Sequence, residues 1–355
     1  MASVGEVLDR KSICICAGSG GVGKTTTSAA IALGMAQQGL KVCVLTIDPA
    51  KRLADSLGLD ELGNEARQVD PSLFEAQSVE MKGELWAMML DAKATFDELI
   101  ARQAPDEESR DRVLNNRIYQ QISSALAGSQ EYMAMEKLFE LHTEGEFDLL
   151  VLDTPPTRNA LDFLDAPRRL TQFIEGKSLR VFMKPTGLAA KVTGRGVSVA
   201  LGVFKKLVGF DLLADPETCF LVVCGPQGEP IDEAVYFHRK LVEADLPFGG
   251  VVVNKVHYAA DEPVAEVDDL PTALAGKLDD PALARRVADN FADYQALAER
   301  DARNIDHLSN ELRTSCVIRV PYLDEDVHDL AGLSEIDRYL FASAEERVEM
   351  AAGRA

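Results

Sequence analysis

Basic side chains are in short supply in this 355-residue chain: 37 Lys and Arg stand against 58 Asp and Glu, a formal net charge of −21. So acidic a chain repels phosphodiester backbones, and no nucleic-acid partner is expected, although a local basic patch is not excluded. Long apolar runs are absent too. No stretch reaches the roughly 18 apolar residues that a membrane helix needs, so no transmembrane segment is expected. Met1 to Arg10 is polar and acidic, and Ser12 to Ala17 is too short for a signal-peptide core. A cytoplasmic location is the resulting expectation. Cysteine is sparse: Cys14, Cys16, Cys43, Cys219, Cys224 and Cys316 lie mostly in apolar, strand-like segments. None of them forms a Cys-x-x-Cys pair or a Cys/His group with zinc-like spacing. Cys14 and Cys16, two apart, would point to one face of a strand. Buried, reduced thiols are the expectation.

What is present is ordinary for a globular chain, with 46% hydrophobic and 27% charged residues. The length suits one large α/β domain with insertions, or two domains. Ser12 to Ala17 reads as a strand, followed by a glycine-rich turn and a helix from Thr25 to Gln38 that Gly39 closes. Further strands are expected at Lys41 to Ile47, Phe147 to Leu152, Thr218 to Cys224, Gly249 to Val253 and Val317 to Val320. Strands alternating with helical stretches imply right-handed crossovers and a parallel sheet covered on both faces. Two long insertions interrupt the order. Residues 84–145 read as helical with a break near Pro105 to Glu108, and residues 159–215 read as helical too. Within the second, Lys177 to Phe210 carries Lys177, Arg180, Lys184, Lys191, Arg195, Lys205 and Lys206 with no Asp or Glu. Apolar residues such as Phe182, Leu201 and Phe204 interleave them. This reads either as a basic helical cover or as a contact surface for a client or a membrane.

One motif carries chemistry. Gly18-Ser19-Gly20-Gly21-Val22-Gly23-Lys24-Thr25 fits the phosphate-loop pattern in full, between a strand and a helix. Glycines let backbone N–H groups close round phosphate oxygens, and the helix N-terminus adds its positive dipole end. Lys24 would reach the β- and γ-phosphates, and the Thr25 hydroxyl would ligate Mg²⁺, with Thr26 beside it in the first turn. Asp153, after the Leu149 to Leu152 run, is placed to hold Mg²⁺ through Thr25 or water. Asp48, after the strand at Val42 to Ile47, is placed to orient an attacking water and to touch the metal through water.

These residues carry a family resemblance. Ala17 to Thr27, Thr46-Ile47-Asp48-Pro49-Ala50 and Asp153-Thr154-Pro155-Pro156-Thr157 resemble the arsenite-pump and tail-anchored-protein-targeting ATPase family. Gln130 to Glu136 and Val251 to Val256 look like its bacterial branch. The resemblance covers most of the chain as a single phosphate-loop ATPase domain, residues 1–355. It implies a dimeric ATPase of the signal-recognition, MinD and BioD class, with ATP and Mg²⁺ as cofactors and helical subdomains outside the nucleotide core. It further implies that Asp48 positions water in switch I and that Asp153 to Arg158 is switch II. Asn254 would contact adenine, with Pro321 and Tyr322 in the adjoining loop.

The chain departs from the family at several places. A lysine usually follows the loop's first glycine and reaches the partner's phosphates across the dimer; here it is Ser19. Either Lys51, Arg52 or Arg158 replaces that charge in a homodimer, or a paralogous ATPase supplies it in a heterodimer. The zinc-clasping Cys-x-x-Cys of eukaryotic targeting factors is missing, and the cysteine triad of arsenite pumps cannot be placed on these six cysteines. The resulting expectation is an ATP-hydrolysing switch with a protein or membrane-linked client. The alternatives are a MinD- or ParA-like positioning ATPase, or an anion-pump subunit. The mixed charge of Leu333 to Ala355, including Glu345, Glu346 and Glu349, counts against a MinD-like basic anchor.

Overall fold

Runs such as Ile13-Cys14-Ile15-Cys16-Ala17 and Cys219 to Cys224 are apolar at every position, the pattern of strands covered on both faces. The computed structural model, which describes residues 3–48, 51–104, 106–116, 120, 130–155, 212–259, 270–314, 316–323 and 325–352, places them at the centre of a sheet. Its strands are β1 (Ile13–Ala17), β2 (Lys41–Thr46), β3 (Arg67–Gln68), β4 (Glu84–Met89), β5 (Leu149–Asp153), β6 (Thr218–Cys224), β7 (Phe248–Val256) and β8 (Val317–Pro321). They form one eight-stranded sheet in the order β3-β4-β2-β5-β1-β6-β7-β8. Every pairing is parallel except that of β3 with β4. The fold is therefore the α/β architecture expected from the sequence.

The alternation of side chains splits the core into two layers. Ile13, Ile15, Cys43, Leu45, Leu150 and Phe220 join one apolar cluster, while Cys14, Cys16, Val42, Val44, Leu149 and Leu221 join the other. The helix Lys24–Gln37 is buried along nearly its whole length from Thr27 to Ala36. It lies between the sheet and the helix Leu330–Phe341. A Cβ on Gly34 would sit 2.2 Å from the Phe341 ring, so a glycine is needed for that approach. β1 has β5 on one side and β6 on the other, so the chain reverses its direction of travel across the sheet there. Ligands of open α/β sheets bind at the carboxyl ends of strands at such a switch point.

The structure adjusts several expected boundaries. Glu84–Met89, expected to open the first helical insertion, is instead the strand β4 in register with β2. Its alternating Leu85, Ala87 and their neighbours are buried on the sheet, and the helices of the insertion start at Ala92. Ala92–Gln103 and Glu107–Leu114 flank the expected break, and Gln130–Glu144 follows. The short antiparallel β3 was not foreseen. β7 runs on to Val256, so Asn254 lies inside its strand rather than at the end. Residues 156–211, including Arg158 and the basic stretch from Lys177 to Phe210, lie outside the described residues. Among those described, no helix is long and apolar enough to cross a membrane. All six cysteines are free and buried, with Cys14 and Cys16 sulfurs 4.0 Å apart on one face.

One core group is strained electrostatically. Asp337, on the helix Leu330–Phe341, is buried, and its Oδ2 has no hydrogen-bond partner. Burial pushes its carboxyl up to about 7, against the opposing pull of Arg338. An acid whose folded value is raised above its unfolded one binds its proton more tightly when folded. Its contribution to stability is therefore present at low pH and is lost as pH rises from about 4 to about 7. Asp337→Asn should flatten that slope and raise stability at pH 8 by on the order of 2 kcal/mol, read by denaturant melts at several pH values. An unaltered slope would place the titration elsewhere.

Candidate functional site

Gly18 through Thr25 turn from the end of β1 into the helix Lys24–Gln37. Two glycines are demanded by geometry. A Cβ on Gly18 would meet the Val223 carbonyl oxygen at 1.9 Å, and one on Gly23, at φ +89°, would meet Asn254 Nδ2 at 2.3 Å. Gly20 and Gly21 are exposed at the crest of the loop, and Val22 is buried beneath it. The Lys24 ammonium is nearly inaccessible and donates to the Ser19 carbonyl at 2.7 Å. Burial lowers its proton affinity, while Asp153 and Asp48 work in the opposite direction. Thr26 is half-buried in the helix's first turn.

Asp153, the last residue of β5, is 1% exposed. Its Oδ2 accepts from the Thr25 hydroxyl at 2.7 Å and from the Thr46 hydroxyl at 2.9 Å. Oδ1 is buried without a partner. Burial pushes this carboxyl up to about 6; the two hydroxyls and Lys24 hold it down, and Asp48 adds to the rise. Asp48 is half-buried, follows β2 by two residues, and donates its N–H to Thr46 Oγ1 at 3.2 Å. Thr154 closes the floor: its hydroxyl donates to the Cys16 carbonyl at 2.9 Å, pinning the start of the expected switch II to β1. The structure thus brings Lys24, Thr25, Asp48 and Asp153 together at the carboxyl ends of three adjacent strands.

The residues present fit a hydrated divalent ion. The Thr25 proton is committed to Asp153, which leaves its oxygen lone pairs free, and Asp153 Oδ1 is an unpartnered buried acceptor. Among the described residues no group of three or more His, Cys, Asp or Glu side chains can cage a metal.

The residues expected to contact the base lie on β7 and β8. Asn254 Nδ2 donates to the Val22 carbonyl at 2.9 Å, and its Oδ1 accepts from the Lys255 N–H at 3.0 Å. Pro321 ends β8, and the exposed Tyr322 donates its N–H to Val256 O at 2.9 Å. Two groups here carried no signal in the sequence. The His257 ring stacks on Tyr322 at 5.5 Å between centroids and meets the fully buried Asp301 through Nδ1 at 2.7 Å. Thr46 was likewise noted only as the first letter of a motif. Its spacing of two from Asp48, at a strand's end, was the available cue. Lys51 and Arg52 are exposed at the start of the short helix Arg52–Ser56.

Comparison with known proteins places the chain among ATPases. An ATPase GET3 of Malassezia globosa is 28% identical over 352 residues, covering 94% of this chain and 93% of that protein. An ATPase get3 of Neurospora crassa is 25% identical over 268 residues, covering 71% of this chain and 75% of that one. A putative arsenical pump-driving ATPase 1 of Aquifex aeolicus is 28% identical over 269 residues, covering 69% and 63%. The pattern of the anion-transporting ATPase family matches residues 11–298, well over half of the chain. The chain belongs to the anion-transporting ATPase family and is an ATPase of its ArsA and GET3 type.

Proposed function

We propose that this chain is a Mg²⁺-dependent, dimeric ATP-hydrolysing switch in the cytoplasm that couples hydrolysis to binding of a protein or membrane-linked client. The observation that carries the catalytic part is the convergence of Lys24, Thr25, Asp48 and Asp153 beneath the glycine loop, with Asp153 Oδ1 buried and unpartnered. Backbone N–H groups from Gly18 to Thr25 and the helix end cradle the phosphates. Lys24 exchanges the Ser19 carbonyl for phosphate oxygens. Thr25, Asp153 and, through water, Asp48 would hold Mg²⁺, which when bound offsets charge on the β- and γ-phosphates. Asp48 orients the attacking water, since transfer to water needs a placed acceptor more than a strong base. Asn254, Pro321 and Tyr322 line the base.

The client reading rests on the family resemblance and on the basic, apolar stretch from Lys177 to Phe210 rather than on the site. An anion-pump role is less well supported. The thiols are buried, and burial pushes Cys43, Cys219 and Cys224 up to about 12, so they stay protonated and poor ligands for a soft ion.

Lys24→Ala should lose ATP binding and hydrolysis by at least about 100-fold, measured by calorimetry and phosphate release. Asp48→Asn should keep ATP affinity within about threefold but lose at least about 100-fold in single-turnover rate. Parent-like behaviour in either variant would overturn the assignment.

Ser19 generates a second expectation. Its carbonyl already holds Lys24, and its neutral side chain is too short to cross a dimer seam. A charge delivered to the partner's phosphates, as by an arginine finger, is worth on the order of 10³ or more in rate. The purified chain should therefore bind ATP and hydrolyse it slowly, with turnover rising on the order of 10³-fold when a lysine-bearing paralogue is added. Fast hydrolysis by the chain alone that is lost in Arg52→Ala or Arg158→Ala would assign the charge to a homodimer's own switch segment. Fast hydrolysis that survives substitution of Lys51, Arg52 and Arg158 would exclude both accounts.

A further inference from the structure

The Thr46 hydroxyl joins the two segments that carry the site's carboxylates. Thr46 ends β2, stands in register with Asp153 on β5, and is 1% exposed. Its Oγ1 donates to Asp153 Oδ2 at 2.9 Å and accepts the Asp48 N–H at 3.2 Å. A hydroxyl has one proton and two lone pairs. An ionised Asp153 can only accept, so that proton is committed to it, and the lone pairs are left to face Asp48. The bridge therefore has one direction and cannot be rearranged without losing a bond.

The strand does not need this hydroxyl. The Thr46 carbonyl accepts from the Leu90 N–H at 2.9 Å, and β2 is paired through this residue with both β4 and β5. Valine has the same shape and suits a strand at least as well. What the hydroxyl adds is a fixed distance between the Asp153 carboxylate and the first turn of the segment bearing Asp48. The same Asp153 oxygen also takes the Thr25 proton. One carboxylate oxygen thus ties the phosphate-loop helix to β2, and Thr46 carries that tie one bond further.

We propose that Thr46 is a positioning residue for hydrolysis: through this bridge it sets Asp48 relative to Asp153, and so aims Asp48 at the attacking water. The inference rests on the roles given above to Asp48 and Asp153. Neither bond of Thr46 goes to the glycine loop, so the loop's direct phosphate contacts stay in place.

The test uses Thr46→Val and Thr46→Ser in the full chain. Thr46→Val should hold ATP affinity within about threefold while single-turnover hydrolysis falls at least about tenfold, a loss on the scale of one buried hydrogen bond. Thr46→Ser, which keeps the hydroxyl, should stay within about threefold of the parent. Without nucleotide, the Asp48 amide in Thr46→Val should exchange hydrogen at least about tenfold faster while the amides of β2 keep their protection. A merely structural residue would not separate these readouts. Parent-like turnover in Thr46→Val overturns the proposal, as does lost turnover with unchanged exchange at Asp48. A valine variant that fails to fold also overturns it, because the hydroxyl would then be structural. If the parent binds no ATP, or Asp48→Asn hydrolyses at the parent's rate, the reading of the site itself has failed, whatever Thr46 does.

Discussion

Everything at the site turns on a carboxylate kept in a place where water is scarce. Asp153 is 1% exposed, and burial, with Asp48 adding to it, raises its carboxyl to about 6. Two hydroxyls and one buried ammonium are what make its charged form tolerable there. These partners come from two different elements. Thr25 and Lys24 open the helix after β1, and Thr46 closes β2. The cost of burying the charge thus makes the strand ends converge, because any element that drifts leaves an ionised group unpaired. Its Oδ1 is a buried acceptor without a partner, which is what the proposed Mg²⁺ role uses.

The architecture explains why that convergence is rigid. β1, β5 and β2 are neighbours in one parallel sheet and are apolar on both faces, so their register is fixed by packing on two sides. Gly18 lets the loop leave β1 against the Val223 carbonyl, and Gly23 lets it close against Asn254. β7 and the phosphate loop are thereby braced against each other. Asn254 on β7 donates its amide N–H to the carbonyl of Val22 inside the loop.

Much of this was legible in the sequence for a physical reason. Strands buried on both faces show as uninterrupted apolar runs, and β1, β2, β5 and β6 were all recognisable from that. The phosphate loop was legible because its chemistry demands particular residues at a fixed spacing. Glu84–Met89 was misread because Glu-Leu-Trp-Ala-Met-Met mixes helix-favouring residues with a strand's alternation. Only pairing with β2 decides the matter. β3, two residues long, has no pattern to detect. The contacts of Thr46 and the His257–Asp301 pair were invisible for another reason: they join residues 107 and 44 positions apart, which no local spacing records.

The same kind of long-range pairing ties the first helical insertion to the core. Lys137, on the helix Gln130–Glu144, has a side chain only 8% exposed, its ammonium set between Glu98 at 3.3 Å and Glu140 at 3.2 Å. Glu98 in turn accepts from Asn64 at 3.0 Å, and Asn64 accepts from the Thr95 hydroxyl at 3.0 Å. Arg102 pairs with Glu140 from the other side. A buried ion pair adds little net stability over apolar packing, yet breaking one partner costs about 3–5 kcal/mol. Such a network penalises separation far more than it rewards assembly. The helices Ala92–Gln103 and Gln130–Glu144 are therefore constrained to move together. The second of them runs through residues 145–148 into β5, the strand that ends in Asp153. β5 thus joins Asp153 along the backbone to the helix that carries this charged network.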